Sequence, residues 1–403
     1  MILPFLSSAC ASWYFSLLIM ATSWIFGCTL AHGAENKLTV NKLNTLGDIN
    51  NNTGSYSCSH AASLFSGLCC INEPPSQPQP RSLELSFFIA AQNDNYGGYR
   101  AALRSSSSLA ALVYGSYTFN LYENTEIILV DWGSDESAPL RCTPEFQKVL
   151  GRVPLTCEGE GDNRKCKKDL VQIIQIPPSL ASKYAPGTAV SEVHTFNIAV
   201  RRARGKMLLR IDQDTFVRGP FFSWLHWQKI NEWPDIKIVW WHVRDSGISK
   251  DNVHTVVDDL RYYIHHGKMQ APDGKVCHDH KGPIPDRGPY NASKADGDGA
   301  NWRECHNAAV GVYGYPVDLM VDVKGMNEKY TYWGGMEGEL CTRASKSSKF
   351  VNWMDIRSEV CGLSFSHFEH SYGERLDQGA HETSFANDEN WGLKNETLET
   401  WIY

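Results

Sequence analysis

The strongest constraint on the fold of this chain is a series of four short apolar runs that do not alternate with polar residues. They lie at 83–91 (LELSFFIAA), 126–131 (EIILVD), 170–176 (LVQIIQI) and 206–211 (KMLLRI). A strand with one face in water alternates apolar and polar side chains, whereas a strand covered on both faces reads as a continuous apolar run. Between the runs, 99–117 and 190–204 carry apolar residues at helical spacing, and Gly205 stands where a helix stop is expected. This order predicts a doubly wound α/β fold: a mostly parallel sheet with helices on both faces, connected by right-handed crossovers.

Sheets of this kind bind ligands beyond the carboxyl ends of their strands. Asn93, Asp94, Asp131, Asp135, Asp212 and Asp214 all follow closely on those ends, so loops from several strands are expected to converge there. Farther along, 236–243 reads as another strand, 253–266 as a helix, 308–313 as renewed apolar structure and 316–323 as a helix. The segment 271–300 is a mobile insertion rich in Gly, Pro and Asp.

The amino-terminal part reads differently. Residues 1–34 contain no Asp, Glu, Lys or Arg, and 13–30 (WYFSLLIMATSWIFGCTL) is an apolar stretch about 18 residues long, enough to span a bilayer as a helix. It is a signal-anchor of type II or a cleaved signal peptide. Residues 35–82, rich in Asn, Ser, Pro and Gln and ending in EPPSQPQPR, read as a stem or linker, which leaves 83–403 as a single catalytic domain. The expected location is the secretory pathway, in the Golgi or ER lumen as a type II membrane protein, or outside the cell if the leader is cleaved. Of twelve Cys, ten lie beyond the leader, an even number that suits disulfides in such a compartment. Asn51, Asn291 and Asn395 are sequons for N-glycans.

Charge excludes one class of partner. Lys plus Arg is 38 and Asp plus Glu is 45, a net of −7 with no block of like charge. Nucleic-acid binding rests on clustered cations that neutralise phosphates, so no nucleic-acid partner is expected.

Asp212 and Asp214 stand two apart at the end of an apolar strand, where an extended chain would lean both carboxylates to one side. Two carboxylates together with diphosphate oxygens suit a hard divalent cation, Mn²⁺ or Mg²⁺. Glu337 follows Trp333-Gly334-Gly335 and opens a helix. It reads either as a partner of the helix dipole or as a general base, with Trp333 as a flat face for a sugar or a core contact. His367 and His370 are candidates to complete a metal shell.

Taken in order, SFFIAAQNDNYGG, EIILVDWGSDES, HTFNIAVRRARGKMLLRIDQD, YWGGMEGEL, FSHFEH and NDENWGL resemble the glycosyltransferases of the GT-A fold, specifically the family 2-like and galactosyltransferase-like branch. The resemblance covers about residues 83 to 398. It implies that Asn93, Asp94 and Asp131 hold the nucleotide, that Asp212 and Asp214 bind a metal-bridged diphosphate with His367 or, slightly favoured, His370 as the late ligand, and that Trp333, Gly334 and Gly335 line the substrate. The family's Trp-Gly-Gly-Glu-Asp base falls on Glu337. Two positions depart from the pattern: Met336 where an acid is usual, and Trp132 where a second Asp often follows the second strand.

The implied activity is a metal-dependent, inverting transfer of a hexosyl group from a nucleotide sugar, a UDP-sugar above all, to a hydroxyl of a glycan or glycoconjugate acceptor. Met336 and Trp132 motivate a second reading, a non-catalytic partner or carbohydrate-binding protein on the same fold. A metal-dependent hydrolase is the third.

Overall fold

The computed structural model describes residues 69–71, 81–95, 100–151, 153, 157–158, 165–166, 170–227, 237–241, 244–248, 253–258, 260, 312–330, 336–349, 352–355, 365–368, 385 and 387–403. Its strands, in chain order, are β1 (Cys69–Ile71), β2 (Leu83–Ala91), β3 (Thr125–Trp132), β4 (Cys157–Glu158), β5 (Lys165–Cys166), β6 (Val171–Ile176) and β7 (Gly205–Arg210). They continue with β8 (Thr215–Val217), β9 (Lys237–Trp241), β10 (Arg244–Ile248), β11 (Val312–Pro316), β12 (Asn352–Asp355), β13 (Phe365–Phe368) and β14 (Glu399–Ile402).

The four apolar runs form the centre of a nine-stranded sheet ordered β1-β14-β6-β3-β2-β7-β11-β9-β12. The pairs β6/β3, β3/β2 and β2/β7 are all parallel. Antiparallel β14 and β11 flank this block, and β12 lies parallel to β9 at the far edge. This is the doubly wound α/β arrangement that the apolar runs predict. Strand order advances from β2 through β3 to β6 on one side and resumes with β7 on the other. The order therefore reverses between β2 and β7, and a crevice opens beyond the carboxyl ends at such a point.

Both faces of the sheet are buried, which is why the strands lack alternation. On one face Leu85, Phe87, Ile89, Ile127 and Leu129 pack with Leu109 and Leu112 of the helix Ala101–Thr118. On the other, Phe88, Ile128, Val130 and Leu208 pack with Phe196, Ala199 and Val200 of the helix Glu192–Arg202. The period of two along each strand decides which layer a residue joins.

The helix Glu192–Arg202 starts at Ser191, whose Oγ accepts from the His194 N–H. It ends at Ala203, and Gly205 is the first residue of β7 rather than a helix stop. The reason for glycine there is proximity. A Cβ at Gly205 would lie 2.4 Å from the Ser86 backbone nitrogen, so the strand needs a bare α-carbon to pass its neighbour.

That crossing is reinforced by a carboxylate buried at the start of β3. Glu126 Oε1 accepts from Ser86 Oγ (2.6 Å) and the Arg204 N–H (2.6 Å). Its Oε2 accepts from Arg204 Nε (2.7 Å) and Gln172 Nε2 (2.8 Å). One side chain thus ties β2, β3, β6 and the entry to β7, with every oxygen engaged as a buried charge requires.

The carboxy-terminal segment is held against the helix Glu192–Arg202. Arg201 Nη2 donates to the Glu389 carbonyl (2.9 Å) and Arg202 Nη1 to that of Gly392 (3.2 Å). Glu328 Oε1 accepts from Asn197 Nδ2 (2.9 Å) and the Gly392 N–H (2.7 Å). Thus directed, the chain enters the sheet as β14. On its outer side lies β1, in register from Cys69 opposite Ile402 to Ile71 opposite Thr400. The stretch 35–82 expected to be stem or linker therefore contributes a strand to the sheet.

The helix expected near 316–323 is present as Val317–Asp322, and that expected at 253–266 is described as Val253–Val256 followed by a turn. The leader 1–34 and the insertion 271–300 lie outside the described residues. Among the described residues, no helix is long and apolar enough to cross a membrane. Cys142 and Cys341 are each disulfide-bonded, and Cys157 stands directly opposite Cys166 in the β4/β5 ladder.

Candidate active site

Arg210, the last residue of β7, organises the cluster at the crevice. It lies two residues beyond Leu208 and so on the face of the sheet that carries the helix Glu192–Arg202. Its guanidinium reaches three carboxylates: Nη1 to Glu337 Oε1 at 2.7 Å, Nη2 to Glu192 Oε2 at 2.6 Å, and Nη2 to Asp212 Oδ1 at 3.1 Å. The Arg210 side chain is 8% exposed and that of Glu337 12%. Burial by itself would push the Arg210 pKa down. Glu192, Asp212 and Glu337 outweigh it and hold the guanidinium well above its ordinary value.

Tyr313 and Tyr315 of β11 form the wall of this cluster. Tyr313 stands opposite Arg210 in the β11/β7 ladder, and the guanidinium carbon sits 5.6 Å from its ring centroid. The two rings stack at 6.0 Å. Burial, and next the negative field of Glu337, raise both phenol pKa values, so both tyrosines stay protonated.

Asp212, Gln213 and Asp214 are not extended. The chain turns there, closed by the Thr215 N–H donating to the Asp212 carbonyl (2.9 Å), and re-enters a strand at β8. The two carboxylates accordingly differ in setting: Asp212 is partly exposed beside Arg210, and Asp214 is buried. Gln213 is anchored by its carbonyl, which accepts from Ser108 Oγ (3.1 Å). Gln213 Oε1 and Thr215 Oγ1 are buried without a hydrogen-bond partner.

These oxygens fit a hard divalent cation. Two carboxylates and two buried neutral oxygens lie within four consecutive residues, and such a cation keeps waters and takes phosphate oxygens rather than demanding a full protein cage. Among the described residues, no group of three or more His, Cys, Asp or Glu is placed to hold a metal. His370 lies outside the described residues. His367 stands in β13 opposite Thr215 of β8, with the strands antiparallel.

Asn93, Asp94 and Asp131 sit at the carboxyl ends of β2 and β3. The Asn93 N–H donates to Ser134 Oγ (2.8 Å) and its Nδ2 to the Ala138 carbonyl (2.9 Å). The Asp94 carbonyl accepts from the Ala101 N–H (2.8 Å), at the start of the helix Ala101–Thr118. Asp131 is fully buried; Oδ1 accepts from Ser134 Oγ and Oδ2 from the Leu140 N–H (2.8 Å). In this arrangement Asp131 fastens the 133–140 loop, and through Ser134 that loop bears on Asn93. Burial pushes its pKa up to about 6, against the lowering effect of the Ser134 and Leu140 hydrogen bonds and of Arg141.

Glu337 is the second residue of the helix Met336–Ala344. Oε1 is occupied by Arg210, and Oε2 has no hydrogen-bond partner among the described residues. Trp333, Gly334 and Gly335 lie outside the described residues. Trp132, where a second acid was a possibility, fills the core and stacks on His194 at 5.6 Å. Burial lowers the His194 pKa to about 4, so that imidazole is neutral.

The sequence reading did not single out Arg210, Glu192, Tyr313 or Tyr315. Arg210 did leave a signal, since an arginine inside an otherwise apolar buried strand needs a carboxylate partner. Glu192 and Glu337, eighteen and 127 residues away along the chain, meet it only through the fold.

No protein-family model and no curated protein matches this chain. Among solved structures, S. aureus TarS 1-349 in complex with UDP-GlcNAc is 9% identical with a TM-score of 0.38, covering 74% of this chain and 62% of that one. S. aureus TarS 1-349 without that ligand is 11% identical with a TM-score of 0.34, covering 65% and 55%. GalNAc-T7 with UDP, GalNAc and Mn²⁺ is 12% identical with a TM-score of 0.38, covering 75% and 47%. This chain thus spans about half to three-fifths of the length of those chains, and likeness at this level carries no argument about its activity.

Proposed function

We propose that this chain is a glycosyltransferase that moves a sugar from a nucleotide-sugar donor to a hydroxyl of a glycan or glycoconjugate, with inversion at the anomeric carbon. One observation carries the reading: at the point where strand order reverses, Glu337, a carboxylate with one oxygen unengaged among the described residues, is joined through Arg210 to the Asp212-Gln213-Asp214 turn. A base and an acidic, oxygen-rich turn on opposite sides of one cation are the parts that such a transfer needs. The GT-A resemblance of the motifs in chain order supports the same reading.

Asp212 and Asp214, with His370 as the third ligand, would hold Mn²⁺ or Mg²⁺. That cation supplies charge neutralisation for the departing diphosphate. Asn93, Asp94 and the loop fastened by Asp131 form the nucleotide side of the crevice, with a UDP-sugar as the donor. Glu337 Oε2 takes the proton of the acceptor hydroxyl as its oxygen bonds to the anomeric carbon and the bond to the diphosphate breaks. A positioned base of this kind contributes about 10²- to 10⁴-fold in rate. The Arg210 pair keeps Oε1 fixed while Oε2 works. Trp333, Gly334 and Gly335 belong to the acceptor side. The apolar leader would hold the domain at a Golgi or ER membrane, facing the lumen.

The test is incubation of the protein with a panel of sugar nucleotides, Mn²⁺ and glycan acceptors, measuring diphosphate release and product linkage. Transfer that is lost in Asp214→Asn and Glu337→Gln supports the reading. Silence across the panel, or full activity in Asp214→Asn, refutes it. Donor binding without turnover would favour the non-catalytic partner. Diphosphate release without transfer to an acceptor would favour a hydrolase.

A further inference from the structure

Among the described residues, Arg210 touches both halves of the candidate site. Three carboxylates from three separate elements converge on it: Glu192 from the start of its helix, Asp212 from the turn after β7, and Glu337 from the start of another helix. Tyr313 and Tyr315 form the neutral wall of this cluster. A buried ion pair is weak evidence for net stability, because desolvation offsets much of the attraction.

Geometry suggests a different use. Among the described residues Glu337 is bound at Oε1 alone, through a single Nη1 contact of 2.7 Å, while Nη2 of the same guanidinium is hydrogen-bonded to Glu192 Oε2 at 2.6 Å and ion-paired with Asp212 Oδ1 at 3.1 Å. The guanidinium is planar and rigid, so engaging Glu192 and Asp212 on one arm fixes the direction in which the other arm holds Glu337. We infer that Arg210 is a positioning residue that sets the Glu337 carboxylate relative to the Asp212–Asp214 turn, so that base and donor are held in one register. The inference rests on the glycosyltransferase reading. It assigns Arg210 no contact with substrate; the residue acts through Glu337. Lysine in its place would keep the charge but, as a point cation on a flexible stem, would lose the two-armed fix.

The test is steady-state kinetics on wild type, Arg210→Lys, Glu337→Asp and the double variant, with thermal midpoints measured alongside. Arg210→Lys is expected to lower kcat about 10²-fold, the size of a displacement near 1 Å, with donor KM changed less than about threefold because ground-state binding does not use Glu337. In Glu337→Asp the carboxylate is one methylene shorter and already withdrawn from Nη1. Adding Arg210→Lys there is expected to cost less than about threefold more, the non-additivity of residues that act as a unit.

Equal losses from Arg210→Lys in both backgrounds, or a loss confined to donor KM, would overturn the inference while leaving the glycosyltransferase reading intact. A wild-type protein without transferase activity would instead remove the reading beneath it. If Arg210→Lys does not fold, Arg210→Gln combined with Glu192→Gln keeps the charge balance of the cluster and serves in its place. A kcat loss of similar size is expected of that pair, and undiminished kcat would refute the positioning role.

Discussion

Asp131→Asn tests whether burial or hydrogen bonding governs the carboxylate at the carboxyl end of β3. Burial raises the Asp131 pKa from its ordinary 3.8 to about 6, with the Ser134 and Leu140 hydrogen bonds and Arg141 opposing. The folded protein consequently holds this proton more tightly than the unfolded chain, and stability falls as pH rises between the two values. A shift of 6 − 3.8 = 2.2 units corresponds to about 3 kcal/mol in full. Roughly 2 kcal/mol of that decline falls between pH 4.5 and 7.5. Asparagine has nothing to titrate. Urea unfolding of both proteins across that range, followed by tryptophan fluorescence with disulfides intact, gives the difference in stability at each pH, and every other titrating group cancels in it. The variant is expected to gain on the wild type by about 2 kcal/mol from pH 4.5 to 7.5, whatever constant offset the altered bonds to Ser134 and Leu140 impose. Parallel profiles would refute the reasoning, and a gap that narrows in the opposite direction would show that hydrogen bonding outweighs burial.

Other perturbations bear on the fold and the site. Glu126→Gln removes a buried charge-assisted partner of Arg204 and should destabilise the domain by about 2 to 3 kcal/mol in urea unfolding at pH 7. Gly205→Ala drives a Cβ to 2.4 Å from backbone that cannot step aside. It is expected to cost about 1 to 3 kcal/mol as an overpacked position, measured as a lower thermal midpoint. Asp214→Asn should weaken Mn²⁺ binding in calorimetry and abolish transfer. Glu337→Gln should lower kcat by about 10²- to 10⁴-fold while donor binding persists.

The central strands were legible because burial on both faces leaves a direct mark in sequence: β2, β3, β6 and β7 contain the four unalternating runs, shifted by a residue or two at their ends. The helix Glu192–Arg202 is legible from its spacing, but its end is not. Gly205 resembles a helix stop in one dimension, and only the approach of β2 shows that the glycine serves strand crossing. The Asp212–Asp214 pair was visible as composition at a strand end. Its turned conformation was not, since the return of the chain into β8 depends on pairing with β13, about 150 residues later. Likewise the contribution of β1 to the sheet is set by β14 at the other end of the chain.

Sequence by itself determined the layers. Apolar periodicity is a local property, and burying those runs without alternation leaves few architectures besides a covered parallel sheet. It also determined where chemistry would collect, because polar residues at strand carboxyl ends share one edge of such a sheet. Tertiary structure alone decided which of those groups meet. Arg210 is chemically silent until the fold brings Glu192, Asp212 and Glu337 within hydrogen-bond distance, and Asp131 is an ordinary acid until burial raises its pKa. Electrostatic energy depends on separation and solvation in space, and neither is encoded in the spacing of residues along the chain.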